Sequence, residues 1–408
     1  MMHNERGIAL IITLLVVALL TITVVEFTYS VEVDQHMARN ALSGLQATLL
    51  ARSGINMGEA FLLHDDDPLV DAFTEEWCPS PGPEGYSCRI DETNSQLVVP
   101  DNMRLRVQIL DESGKFNINV TRPRSVALWR AWRTWKNQNA DPKTAPVVEA
   151  WKNVLANILA QRGVGSEVAD AVLDYWDQLY EAQFGDQGTP GVTGTPAMAT
   201  PTPVSPGSPT PAPNAAALAI LDLPSLDDAS VIPGLTPAAI RHLRPVLTAL
   251  DSNRMAQVNI NTAPREVLSA IIGDDSIVGN IVSQRQNNPL KQQDLGALLA
   301  GLDRTDPTKK YAPQMLGVRS SYFLVRASAI VNPDPISGRG GITRSASMLV
   351  RRDQKPGVPP NAPAGTPRWT LTQLDWQKEG GAVLFQSRVD GEPGTDDPNS
   401  PMTSDLGG

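Results

Sequence analysis

The sequence predicts an α+β fold: a long N-terminal helix packed on an antiparallel sheet, with a large α-helical domain inserted between the strands. Three observations predict it. The chain opens on "IALIITLLVVALLTITVV", which is uncharged and apolar from Ile8 to Val25 apart from Thr13, Thr21 and Thr23. Residues 103–120 and again 321–376 alternate apolar with polar side chains, as half-buried strands do. Between these stretches the apolar residues recur every three or four positions, the spacing of a helix face, broken once by a proline-rich run.

Composition narrows the function classes. With 408 residues, 5% aromatic side chains and 34 prolines, the chain has room for two or three domains, but much of it need not be core. A balance of 34 Lys and Arg against 44 Asp and Glu gives a net charge of -10, which repels phosphate backbones, so no nucleic-acid partner is expected. The four histidines fall at positions 3, 36, 64 and 242, two of them in the leader and first helix, which leaves little material for a Ser-His-Asp or Cys-His centre. A phosphate-binding G-x-x-x-x-G-K-[ST] loop is absent, and the "GVG" at Gly163 follows a helix where a dinucleotide fold would have a strand. No catalytic residue and no bound cofactor are expected; the chain reads as a non-enzyme.

The first element is a helix over 8–63. Its apolar part, 8–25, is about 27 Å long at ~1.5 Å per residue, close to the hydrocarbon thickness of a bilayer. A cleaved secretory signal would show a basic start, a shorter apolar core and a small-x-small site, and none of these is convincing here. Phe27, Val31, Ala38, Ala41, Leu45, Thr48 and Ile55 continue the helical spacing, and no proline intervenes before Pro68. The second half should pack on a folded domain, although Gly44, Gly54 and Gly58 weaken it as a helix.

Residues 64–124 begin an α/β domain. "LHDDDP" offers Asp65, Asp66 and Asp67 to a cation, but calcium cages draw oxygens from alternating positions and carbonyls, so a solvated helix end is the better reading. Cys78 and Cys88 bracket "CPSPGPEGYSC", a turn-forming loop that suits a local disulfide and an extracytoplasmic compartment; two free thiols are the alternative. "MRLRVQILD" places Met103, Leu105, Val107 and Ile109 on one face of a strand, "DESGK" turns it, and Phe116, Ile118 and Val120 should begin the second strand of a hairpin.

Residues 125–320 read as the inserted helical domain. Trp129, Trp132 and Trp135, interleaved with Arg130 and Arg133, suit helix packing better than base stacking in so acidic a chain. Residues 185–218 carry eight prolines and should form a disordered loop. Helical spacing resumes at "LTPAAIRHLRPVLTAL" and runs through "VNINTAPREVLSAIIGDDSIVGNIVSQRQNN". "RGVGSEVADAV" and the latter stretch resemble pieces of helix-hairpin-helix modules, but Asp274 and Asp275 would face the phosphate that such a hairpin holds. Strands return over 321–376 in "SYFLVRASAIV", "TRSASMLVRRD" and "WTLTQLDW", and 377–408 should be a flexible tail.

The leader ending in "RG" (1–7), the apolar helix that starts at the next residue, "GKFNIN", "NINTA" and "VADAVLDYWD" together resemble the K-type minor pseudopilins of type II secretion systems. The resemblance covers nearly the whole chain outside the proline-rich loop and the tail. It implies cleavage by a prepilin peptidase between Gly7 and Ile8, methylation of the new amine, and a pilin-like fold. It also implies a single-pass protein of the inner membrane, most of it on the periplasmic or extracytoplasmic side, whose partners are membrane lipid, the major pseudopilin and other minor pseudopilins. The implied role is to join the pseudopilus tip and help to start assembly. Ile12 stands at the fifth mature position, where most pilin relatives carry glutamate, and this departure is itself a K-type feature. In the family the acidic motif at Asp174 and Asp177 runs on into further acids, a plausible calcium site; here Gln178, Leu179 and Tyr180 follow. The alternatives are a minor pilin of a type IV pilus and a membrane-anchored helix-hairpin-helix protein for DNA uptake.

Overall fold

A computed structural model describes residues 5–65, 67–82, 87–91, 98–138, 141, 144–185, 222–302, 306–333, 341–359, 363 and 366–379. The proline-rich loop from 186 and the tail from 380 onward lie outside the described residues, as does Asp66. The α+β expectation holds. Helix α1 (Glu5–Leu63) runs unbroken for 59 residues, and its second half lies on one face of a five-stranded antiparallel sheet. The strands are β1 (Ser87–Asp91), β2 (Met103–Asp111), β7 (Tyr322–Val331), β8 (Ile342–Gln354) and β9 (Trp369–Glu379), in that spatial order. β2 and β7 are neighbours in the sheet although about 210 residues separate them in sequence, Met103 opposite Val331 and Asp111 opposite Phe323. The helical part fills this interval.

Leu105, Val107 and Ile109 of β2 meet Val325, Ala327 and Ala329 of β7 and Ala346, Met348 and Val350 of β8, and together with α1 they form one apolar core. A second core lies within the helical part. It is built from α2 (Val126–Asn137), α3 (Val147–Gln161), α4 (Val168–Phe184), α5 (Pro237–Leu243), α6 (Arg265–Ile272), α7 (Asp275–Arg285), α8 (Gln292–Leu298) and α9 (Pro307–Met315). Trp129 and Trp132 are 3% and 1% exposed; Trp129 stacks on Tyr180, so neither indole presents a face to a base.

The hairpin expected after β2 does not form. Asp111 accepts the Ser113 N–H (2.8 Å) and turns the chain into a 3-10 segment, Glu112–Gly114. The next two residues, β3 (Phe116–Asn117), then pair in parallel with β4 (Leu247–Thr248). Asparagine explains the diversion. Asn117 accepts the N–H groups of Asn119 (3.2 Å) and Leu250 (3.1 Å), and Asn119 takes both backbone groups of Leu223, each at 3.0 Å. These buried bonds satisfy backbone that a sheet ladder would otherwise have to satisfy.

The device is used twice. β5 (Val258–Asn259) pairs in parallel with β6 (Leu316–Gly317); Asn259 accepts the Asn261 N–H (3.0 Å), and Asn261 takes the N–H and C=O of Leu290 at 2.8 and 3.0 Å. The "FNIN" and "VNIN" stretches therefore play the same part, one at the entry to the helical part and one within it.

Candidate membrane and assembly segment

The outer half of α1 carries the sequence features singled out for function. Its side chains from Leu10 to Val25 are exposed, Ile12 at 56%, with no charge before Glu26. The three polar residues in this span do not spoil it for lipid: Thr13, Thr21 and Thr23 donate their hydroxyls to the carbonyls of Leu10, Val17 and Leu19 at 2.8–2.9 Å. Every polar side chain there is thus satisfied within the helix, the condition a hydrocarbon environment imposes. By length and composition α1 can cross a membrane once. Gly7 and Ile8 lie on its first turns.

The inner half is shaped for close approach. Its buried face is Ser43, Gly44, Ala47, Ala51, Gly54, Ile55, Gly58 and Leu62, while Leu45 and Ala41, expected inside, point outward. A Cβ on Gly54 would lie 2.8 Å from the Ala327 Cβ, and one on Gly58 would lie 2.5 Å from Val325 Cγ1. The glycines that weaken the helix locally are what let it touch the sheet.

One side chain closes this junction. Arg352 of β8 is fully buried; its Nη1 donates to the Leu62 carbonyl (3.2 Å) and to Asp65 Oδ2 (2.8 Å), and its Nη2 pairs with Asp71. The guanidinium lies 4.7 Å from the Phe323 ring centroid and 4.2 Å from that of Trp369, and the Trp369 indole donates to the Asp65 carbonyl (2.8 Å). A cation thus meets the C-terminal carbonyls of α1, where the helix dipole favours positive charge. Burial pulls Arg352 down to about 10 and pushes Asp65 up, and each group, facing the other, opposes the shift of its partner.

The solvated helix end expected at "LHDDDP" is therefore overturned at Asp65, which is buried beneath Arg352. Asp65, Asp71 and Glu75 bring carboxylate oxygens within 4.8 Å of one another, a spacing a metal ion can use. Here Arg352 already pairs with two of the three, Asp65 and Asp71, and Glu75 accepts from the Ala72 N–H (3.0 Å) and the Trp77 indole (2.9 Å). Burial raises Glu75 to about 8. Asp67 caps its own turn through the Leu69 N–H (2.9 Å). The other acidic candidates also have protein cations: Asp174 faces Lys136 (2.9 Å), and Asp177 accepts from the Trp129 indole (2.6 Å) beside Arg133.

Cys78 and Cys88 are paired, with Cα atoms 5.3 Å apart, in the core beside Trp77. At the candidate phosphate-binding hairpin, Asp274 accepts the N–H groups of Ser276 (3.0 Å) and Ile277 (3.1 Å) at the start of α7. Its carboxylate occupies the anion position, so a phosphate would have to displace a tethered charge. The sequence carries a signal for Arg352: Ala346, Met348 and Val350 mark the inward phase of the strand, and Arg352 continues it.

No family model matches the chain. Among curated proteins it is similar to the type II secretion system protein K of Pseudomonas aeruginosa PAO1, with 26% identity over 304 residues, 72% of this chain and 76% of that protein. Among solved structures it is similar to the crystal structure of the GspK-GspI-GspJ complex from the type 2 secretion system of enterotoxigenic Escherichia coli. That match covers 85% of this chain and 100% of the other, with 19% identity and a TM-score of 0.49. The resemblance carried by the sequence motifs is thus met by a relative that bears the K-type name.

Proposed function

We propose that this chain is a K-type minor pseudopilin of a type II secretion system, a structural subunit and not an enzyme. The observation that carries the reading is the division of α1: an outer half that is bare, apolar and internally satisfied, continuous with an inner half seated on a sheet by glycines. The similarity to the Pseudomonas aeruginosa protein supports it. Such a helix waits in the bilayer as a single-pass anchor, with the folded part outside the cytoplasm, and then moves into a bundle of like helices that covers the same surface. A prepilin peptidase cuts between Gly7 and Ile8. Other minor pseudopilins and the major pseudopilin are the partners.

Ile12 bears on the place in the fibre. In pilin-type fibres the glutamate usual at this position is thought to pair with the amine of the subunit above, and an unpaired carboxylate in hydrocarbon costs at least ~2.5 kcal/mol by insertion scales. A subunit at the tip has nothing above it and loses nothing by carrying isoleucine. The chain accordingly caps the fibre in few copies and helps to start it. Intact-mass measurement of membrane-extracted protein should give a mature chain that begins at Ile8; a start near residue 30 would refute processing of this kind. Labelling of sheared fibres should place the protein at one end, and regular labelling along the shaft would refute the tip role.

A further inference from the structure

A cavity of about 650 Å³ opens where the helical insertion meets the C-terminal end of β8 and the start of β9. Trp151 of α3 and Met315 of α9 line it from the insertion, Arg352, Asp353 and Trp369 from the sheet. Its volume is within the range of pockets that enclose small ligands, roughly 300–1,000 Å³.

The charge of this cavity is opposite to that of the chain. Four arginines line it, Arg124, Arg254, Arg319 and Arg352, against one carboxylate, Asp353, in a protein of net charge -10. Asp353 is already engaged by Arg351 (2.8 Å) and Arg254 (3.3 Å). Arg124 and Arg319 have no hydrogen bond or ion pair among the described residues. Arg352, fully buried, has used both terminal nitrogens, but its Nε has no partner. Arg352 is neutralised by Asp65 and Asp71, and Arg254 by Asp251 and Asp353, so Arg124 and Arg319 are the two cations of the lining left without a carboxylate in contact; exposed at the mouth of the cavity, they set a positive potential there.

We propose that this cavity is a binding site for an acidic peptide segment of a partner protein, with Arg124 and Arg319 as the forks that take its carboxylates. Guanidinium groups bind carboxylates through two parallel N–H bonds, a geometry that lysine cannot reproduce. Trp151 and Trp369, with Met255 and Met315, supply apolar walls for the side chains between the acids. A long polyanion such as a nucleic acid would meet the negative charge of the rest of the chain, whereas a short segment meets only the cavity. The site does not depend on the reading of the chain as a pseudopilin.

The test uses the full chain in a neutral detergent and fluorescein-labelled Asp-Glu-Leu-Asp-Glu, blocked at both ends, followed by anisotropy at low and moderate salt. The wild type should saturate, more weakly at moderate salt, and Arg124→Gln with Arg319→Gln should weaken binding about 10-fold or more. Both side chains are exposed and unpaired, so the fold is not at stake; unchanged circular dichroism checks this. Arg241→Gln, which removes an exposed arginine outside the cavity, should leave affinity unchanged, and the Lys-for-acid peptide should not bind. The proposal fails if the peptide does not saturate, or if the double variant binds like the wild type. It fails equally if the Arg241 change has the same effect, if inorganic sulfate displaces the peptide at equal concentration, or if an oligothymidylate of matched charge binds more tightly.

Discussion

Replacing Gly58 with alanine sets two calculable effects against each other. In a helix interior the change is favourable by up to about 1 kcal/mol, because glycine loses more backbone freedom on folding. In this structure the new methyl would sit 2.5 Å from Val325 Cγ1 and 3.3 Å from Val107 Cγ1, where carbon atoms prefer about 3.5–4.0 Å. Val325 is fully buried in β7, held between β2 and β8, and its branched side chain has little rotamer freedom. The helix must therefore back away by about 1 Å, which loosens Ala51, Ile55 and Leu62 against the sheet. Overpacking of this kind costs about 1–3 kcal/mol, so after the helix gain of about 1 kcal/mol the net effect should run from near zero to a loss of about 2 kcal/mol. Gly279→Ala is the counterpart. Gly279 lies inside α7, and a Cβ there meets nothing within 4 Å, so the same substitution should stabilise by about 0.5–1 kcal/mol. Urea unfolding of the full chain in a neutral detergent, followed by near-ultraviolet circular dichroism, measures both. A Gly58→Ala protein stabilised as much as Gly279→Ala would refute the view that contact with the sheet dictates the small residue.

Arg352→Ala should cost about 3–5 kcal/mol in the same unfolding experiment, because it leaves Asp65 and Asp71 buried without their cation. Glu75 supplies a pH test: burial lifts it from 4.5 to about 8, so the folded chain holds this proton more tightly than the unfolded chain. Its contribution to stability is complete below pH 4.5 and is lost as the pH rises through 8; Glu75→Gln should flatten that part of the pH profile and unfold later than the wild type at pH 8.5. Cys78→Ser with Cys88→Ser should lower stability by about 2–3 kcal/mol, the chain-entropy value for so short a loop. Protein from its native compartment should resist thiol alkylation until a reductant is added.

The elements whose physics is local were readable from the residues. An apolar run long enough to span a bilayer, alternation in β2, β7, β8 and β9, and the tryptophan spacing of α2 each depend on periodicity, which a single stretch of chain contains in full. The departures occur where a partner distant in sequence decides. Phe116–Val120 alternates like a strand, but Asn117 and Asn119 bind Leu250 and Leu223, more than 100 residues away, and the hairpin gives way to a parallel pair with Leu247–Thr248. Asp65 looks like a surface acid until Arg352, 287 residues later, buries beside it. By itself the sequence determined the class of the fold, the membrane-length helix and the positions of β2, β7, β8 and β9, because hydrophobic spacing selects secondary structure and its buried face. Tertiary structure alone decided which glycines of α1 touch the sheet, which cation pairs with Asp65 and Asp71, and which arginines share one cavity. Those properties depend on distances between residues that the chain order leaves free, and they are set only when the two cores close on each other.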